Sequence, residues 1–130
     1  MSSGVSVWEP GGATRPDMET LKNYITVMRQ ADVTDLAASM SRADIKKGAA
    51  LMKPGPDAFS VAESLSDAEI ETLIRFFTLA EMQLSGWDGG QDSPVIPLVR
   101  ILKARGAFKA DLRRWIKANT DNRFLPYGAL

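Results

Sequence analysis

Leu65-Ser66-Asp67-Ala68-Glu69-Ile70 constrains the fold more than any other stretch of this chain. Ser66 and Glu69 have the S-x-x-E spacing of a capping box, in which each side chain satisfies a backbone amide that the helix start leaves free. Leu65 and Ile70 stand where a hydrophobic staple would close over it. The helix is expected to run to about Leu84 and to stop before Gly86. At 100° per residue Ile70, Leu73, Ile74, Phe77 and Leu84 share one face, while Phe76 and Leu79 lie well off it. A helix apolar on more than one side packs on two sides or meets another subunit.

The rest of the chain reads as helices of ordinary length. Residues 1–16, rich in Ser, Gly and Pro, are expected to form an irregular, flexible tail with Trp8 as its large anchor, a strap on the body or a hook for a partner. A single helical domain then spans 17–130. Met18, Leu21, Ile25 and Met28 recur at three- and four-residue steps, the stripe of an amphipathic helix to about Gln30. Thr34 can cap a short helix through Leu36, Ala37 and Met40. The stripe then slips to Ile45, Ala49 and Met52, with Ser41 and Asp44 placed to start a new helix that ends at Lys53-Pro54-Gly55-Pro56. Pro94 or Pro97 can occupy a first helical turn. Val95, Leu98 and Leu102 form the next stripe, to Arg105, and Gly106 is a natural stop. A last helix from about Ala107 to Asn119 buries Phe108, Leu112, Trp115 and Ile116, and 120–130 is expected to be an extended tail. No stretch alternates convincingly like a strand. The expected fold is all-α: a compact bundle of five or six short helices with an irregular N-terminal tail and an extended C-terminal segment.

Charge is sorted along this chain, although its net charge is zero. Residues 1–93 hold 14 acids against 8 Lys/Arg, a net of −6, and residues 94–130 hold 8 Lys/Arg against 2 acids, a net of +6. An acidic part, 17–93, thus precedes a basic helical hairpin, 94–119. Such asymmetry points to a charged partner rather than to a chemistry. With 45% hydrophobic and 25% charged residues the composition is that of a soluble globular protein. The N-terminus lacks a basic-then-apolar leader and no apolar run approaches the ~20 residues of a membrane span, so the chain is expected to be cytoplasmic and to have no membrane partner.

The absence of Cys and His removes disulfides, thiolate chemistry, Ser-His-Asp and Cys-His catalysis and the commonest zinc ligands. No cofactor or metal is expected. Asp88, Gln91 and Asp92 with two glycines lack the ligand spacing of an EF-hand, and Gly89-Gly90 alone makes no phosphate cradle. Glu81 falls about 40° from the centre of the face of Ile70, Ile74 and Phe77. A carboxylate there needs a partner or a proton, because an unpaired buried charge is costly. A salt bridge to the basic half is the expected answer, ahead of a role as general acid or base.

Two family resemblances are present. The helices around Gly106 have helix-turn-helix lengths, with Leu112 and Trp115 six and nine residues after that glycine. Over about twenty residues this spacing resembles the helix-turn-helix group, and it implies nucleic-acid binding. Leu102 departs from the pattern, since a small residue usually stands four before the glycine. Lys47-Gly48-Ala49-Ala50-Leu51 followed by Leu65–Ile70 looks like stretches of small c-type cytochromes, but a chain without Cys or His has no C-x-x-C-H to hold haem.

Arg113, Arg114 and Lys117 fall on the side of the last helix away from Leu112, with Lys109 flanking them and Arg100 and Lys103 on the helix before. Together with Arg123 these are the residues expected to contact an acidic partner or nucleic-acid phosphates. Trp8, Phe76, Leu79, Phe124, Leu125 and Tyr127 are the residues expected at an apolar interface. The leading expectation is a non-catalytic interaction protein that binds a protein partner or itself. The alternative is a nucleic-acid-binding accessory or regulatory protein using the hairpin at 94–119. An overall pI near 6.3 weighs against the alternative.

Overall fold

Asp17 turns its carboxylate back onto the chain and starts helix α1, Met18–Gln30, its Oδ1 accepting the Thr20 N–H at 2.7 Å. Hydrogen bonding from Thr20 holds the Asp17 carboxyl below its ordinary value. The computed structural model describes residues 16–30, 33–52, 58–87, 89–90 and 93–120. Among these residues there are five α-helices, two 3-10 turns and no strand, and the architecture is an all-α bundle.

The first 3-10 turn, Leu36–Ser39, stands where a short helix capped by Thr34 is expected. Its N-cap is Asp35, without a side-chain bond, and the Met40 N–H closes it on Ala37 O. Ser41 then caps helix α2, Arg42–Ala49, accepting the Asp44 N–H at 3.0 Å. α2 ends at Ala49 with Ala50 as its C-cap, short of the expected stop at Lys53–Pro56, which itself lies outside the described residues. A second 3-10 turn, Ser60–Ser64, which sequence periodicity does not reveal, follows the buried Phe59 and carries Ala62 into the core.

Helix α3, Asp67–Gln83, opens on the complete capping box: the Glu69 N–H donates to Ser66 Oγ at 3.2 Å and the Ser66 N–H to Glu69 Oε1 at 3.0 Å. Those bonds hold the Glu69 carboxyl below its ordinary value. Leu65 and Ile70, the two staple residues, are both buried. Helix α4 is Val95–Ala104, with Pro94 as N-cap and Pro97 in the first turn, where a missing N–H removes no helical bond.

Helix α5, Ala110–Asn119, starts three residues later than expected. The reason is the way α4 ends. Gly106 takes φ 70°, its N–H donates to Lys103 O at 3.0 Å, and the Ala107 N–H donates to Leu102 O at 2.8 Å, a Schellman closure. The Ala107 amide is thereby committed to α4, and the chain leaves extended, with Lys109 at φ −85° and ψ 153°.

α3 is the hub. It packs against α1, α4, α5 and the first 3-10 turn, which covers both of its apolar sides. Phe76 is therefore not an interface residue. It is fully buried and stacks on Tyr24 with ring centroids 4.6 Å apart, one member of an aromatic cluster that also holds Phe59, Phe77 and Trp87. Complete burial of such a ring contributes roughly 1.5–3 kcal/mol. Leu79, half-buried, packs against the same core. Burial raises the Tyr24 phenol to about 12, with Asp44 and Asp17 adding to the shift, so this core ring keeps its proton across the ordinary pH range. Among the described residues no helix is long and apolar enough to cross a membrane.

Candidate interaction surface on the helical hairpin

The C-terminal hairpin is joined to the acidic half by one side chain that sequence reasoning did not single out. Arg105, the C-cap of α4, donates through Nη1 to Leu65 O at 2.9 Å and to Asp67 Oδ1 at 2.8 Å, and through Nη2 to Glu63 O at 2.7 Å. A guanidinium fork suits this task, because it reaches two carbonyls and a carboxylate at once. Its place at a helix C-terminus is the ordinary one for a cation, which gave no sign of the 40-residue reach to Leu65.

The other cations of the described hairpin stay at the surface. Arg100, Lys103, Lys109, Arg113, Arg114 and Lys117 are all exposed. Arg114 pairs with Asp111 on the same helix, and both side chains stay largely in solvent, where such a pair contributes little. Lys103 Nζ sits 5.8 Å from the centroid of the Phe108 ring. On the inner side of α5, Leu112 and Ile116 are buried and Trp115 is half-buried, with the Arg75 guanidinium of α3 4.7 Å from its ring centroid. That contact ties α5 to α3, as does the core.

The extended connector creates a groove. Lys103, Gly106, Phe108, Lys109, Ala110 and Arg113 surround an open space of about 410 Å³. Sequence reasoning assigned Phe108 to the core alone. It is half-buried and packs on the core while one part of it lines the groove, because Gly106 turns the chain before α5 begins. A larger depression, about 550 Å³, lies between α1 and α2, but it mixes Asp17, Glu19 and Asp44 with Lys22 and Lys47. It presents no single charge, and Asp17 is already committed to the α1 cap.

Glu81 is buried, as the helical wheel implies, and an amide and a hydroxyl of the loop after α3 are among its partners. Its carboxylate accepts the Gly89 N–H at 3.1 Å and the Ser93 hydroxyl, and Ser93 Oγ accepts the Val95 N–H at 3.2 Å. Glu81 thus holds the loop between α3 and α4 and sets where α4 begins. Replacing it by Ala is expected to cost about 2 kcal/mol in urea unfolding, since a buried amide and hydroxyl lose their acceptor. A loss under about 0.5 kcal/mol would show that water takes over both bonds.

Of the remaining expected site residues, Arg123, Trp8, Phe124, Leu125 and Tyr127 lie outside the described residues, as do Asp88, Gln91 and Asp92. The large apolar side chains that are exposed among the described residues are Val33 and Met82, at 42% and 46%. The helix-turn-helix likeness loses ground in three dimensions. The connector is five residues long, Arg105 to Lys109, Leu102 is buried at the position that departs from the pattern, and α4 and α5 both pack chiefly on α3.

Comparison of the chain with protein-family models, curated proteins and solved structures finds no match.

Proposed function

We propose that this chain is a non-catalytic interaction protein that receives an acidic partner protein on its α4–α5 hairpin. The observation that supports the reading is the exposure of six hairpin cations, Arg100, Lys103, Lys109, Arg113, Arg114 and Lys117, in a chain whose acidic half had charge enough to cover them. Opposite potentials across an interface steer encounter and select partners more than they add affinity. Nucleic acid is the competing ligand for the same cations, and a second copy of the chain, offering its acidic part, is a variant of the first reading.

Fluorescence anisotropy with a labelled polyglutamate peptide, a single-stranded and a duplex oligonucleotide, at two salt concentrations, separates these. Polyglutamate is expected to bind in the micromolar range, to weaken with salt, and to lose about tenfold, equivalent to ~1.4 kcal/mol, in the Arg113→Glu, Arg114→Glu variant. No binding to polyglutamate at low salt rejects the reading. Tighter binding of the oligonucleotides with a steep salt slope replaces it with nucleic-acid binding.

A further inference from the structure

The groove beside Gly106 is more than a patch of charge. Its three cations, Lys103, Lys109 and Arg113, share the lining with the half-buried Phe108 ring, which serves as its floor, and with the exposed Gly106 and Ala110. Lys103 leans over the Phe108 ring and Lys109 and Arg113 are exposed at its rim. The apolar centre and the cationic rim call for different parts of one ligand. An anchor side chain that fills an apolar pocket inside a charged rim is the usual organisation of an interface hot spot.

We propose that the groove is a subsite for one hydrophobic side chain of the partner, carried on a peptide segment with carboxylates flanking it. The occupant is an acidic peptide of the form Glu/Asp–apolar–Glu/Asp, and the inference rests on the acidic-partner reading above. Charge complementarity selects the flanks: carboxylates meet the exposed Lys109 and Arg113, whereas a basic segment is repelled by them. The floor selects the centre, because the Phe108 and Ala110 side chains offer a polar group no hydrogen bond in exchange for its water. A phosphodiester strand fits less well. The whole chain is electrically neutral, unlike a dedicated nucleic-acid binder.

The test uses the full chain and two labelled peptides of equal charge, one of Glu with Gly at its centre and one of Glu with Leu there. The Leu peptide is expected to bind about tenfold tighter. That preference is expected to vanish in Phe108→Ser, the two peptides then binding about equally. Phe108 also packs on the core, so Ala110→Glu serves as the second variant. It places a carboxylate in the groove at the first turn of α5, where a negative charge suits the helix. It is expected to abolish the Leu preference with an unchanged helical circular-dichroism signal. Equal affinity for the two peptides, or a Leu preference that survives both substitutions, overturns the subsite and leaves the acidic-partner reading standing. If neither peptide binds, the parent reading fails and the subsite with it. An oligonucleotide that displaces the Leu peptide from the groove at equal concentration overturns the choice of a peptide occupant.

Discussion

Trp87→Ala is expected to remove about 3–5 kcal/mol of stability, the usual range for deleting a large buried ring. Trp87 has no solvent exposure, although it follows α3 in a loop rather than lying on a helix. Its ring lies 5.9 Å from those of Tyr24 and Phe76 and 6.5 Å from that of Phe77, measured between centroids. Its Nε1 donates to Ile45 O at 2.9 Å, which fastens α2 to the loop. Alanine there opens a cavity at the centre of the aromatic cluster and removes the indole's bond to the Ile45 carbonyl. Against the ~5–15 kcal/mol of an ordinary domain this is about a fifth or more of the total. In thermal unfolding it corresponds to a fall of roughly 10–20 °C. Equilibrium urea unfolding followed by far-UV circular dichroism gives the number. A loss under about 1 kcal/mol would mean that the loop swings clear and the core closes behind it.

Gly48→Ala carries the second-largest effect, and its sign is opposite to the one helix propensity implies. In an open helix position the change stabilises by about 1 kcal/mol. Here a Cβ would stand 2.1 Å from Trp87 Cζ2, 2.3 Å from Cη2 and 2.9 Å from Tyr24 Oη. The indole cannot slide away easily, being held by its bond to Ile45 and packed among three rings. Overpacking of this kind costs typically 1–3 kcal/mol, and the closeness of the contacts places this case at the upper end. The partner of the clash can be tested directly. In a Trp87→Phe background, which removes the benzo edge of the indole, Gly48→Ala is expected to cost under about 1 kcal/mol, so the two changes are strongly non-additive. A neutral or stabilising Gly48→Ala in the otherwise native chain would overturn the packing described here.

Trp87 and Gly48 also show what was legible. Helix starts were readable wherever the signal is local. Ser41 with Asp44, and Ser66 with Glu69, are three residues apart, and their cap bonds form as expected. The stripe of Leu21 and Ile25 likewise marked the buried side of α1. Phe76 was misplaced for the converse reason. A helical wheel shows that it leaves the main face but cannot show that Tyr24, 52 positions earlier, stacks on it. Glu81 was correctly marked as a carboxylate in need of partners, but the Gly89 amide and Ser93 hydroxyl lie eight and twelve residues on, across a loop with no periodicity. For the hairpin, the cations were readable by composition and wheel position. The groove was not, because it depends on how the chain leaves Gly106.

The sequence by itself determined the helical class, most of the helix boundaries, the sorting of charge into opposite halves, and the loss of the chemistries that require Cys or His. These follow from interactions within a few residues or from which atoms the chain contains. Only the tertiary structure decided that both sides of α3 are covered, that Arg105 alone of the described hairpin cations bridges to Asp67 while six others face solvent, and that Phe108 floors a groove. Each of those depends on contacts between residues far apart in the chain, whose free energies come from burial and exclusion of water. No local pattern of residues encodes that geometry before the helices meet.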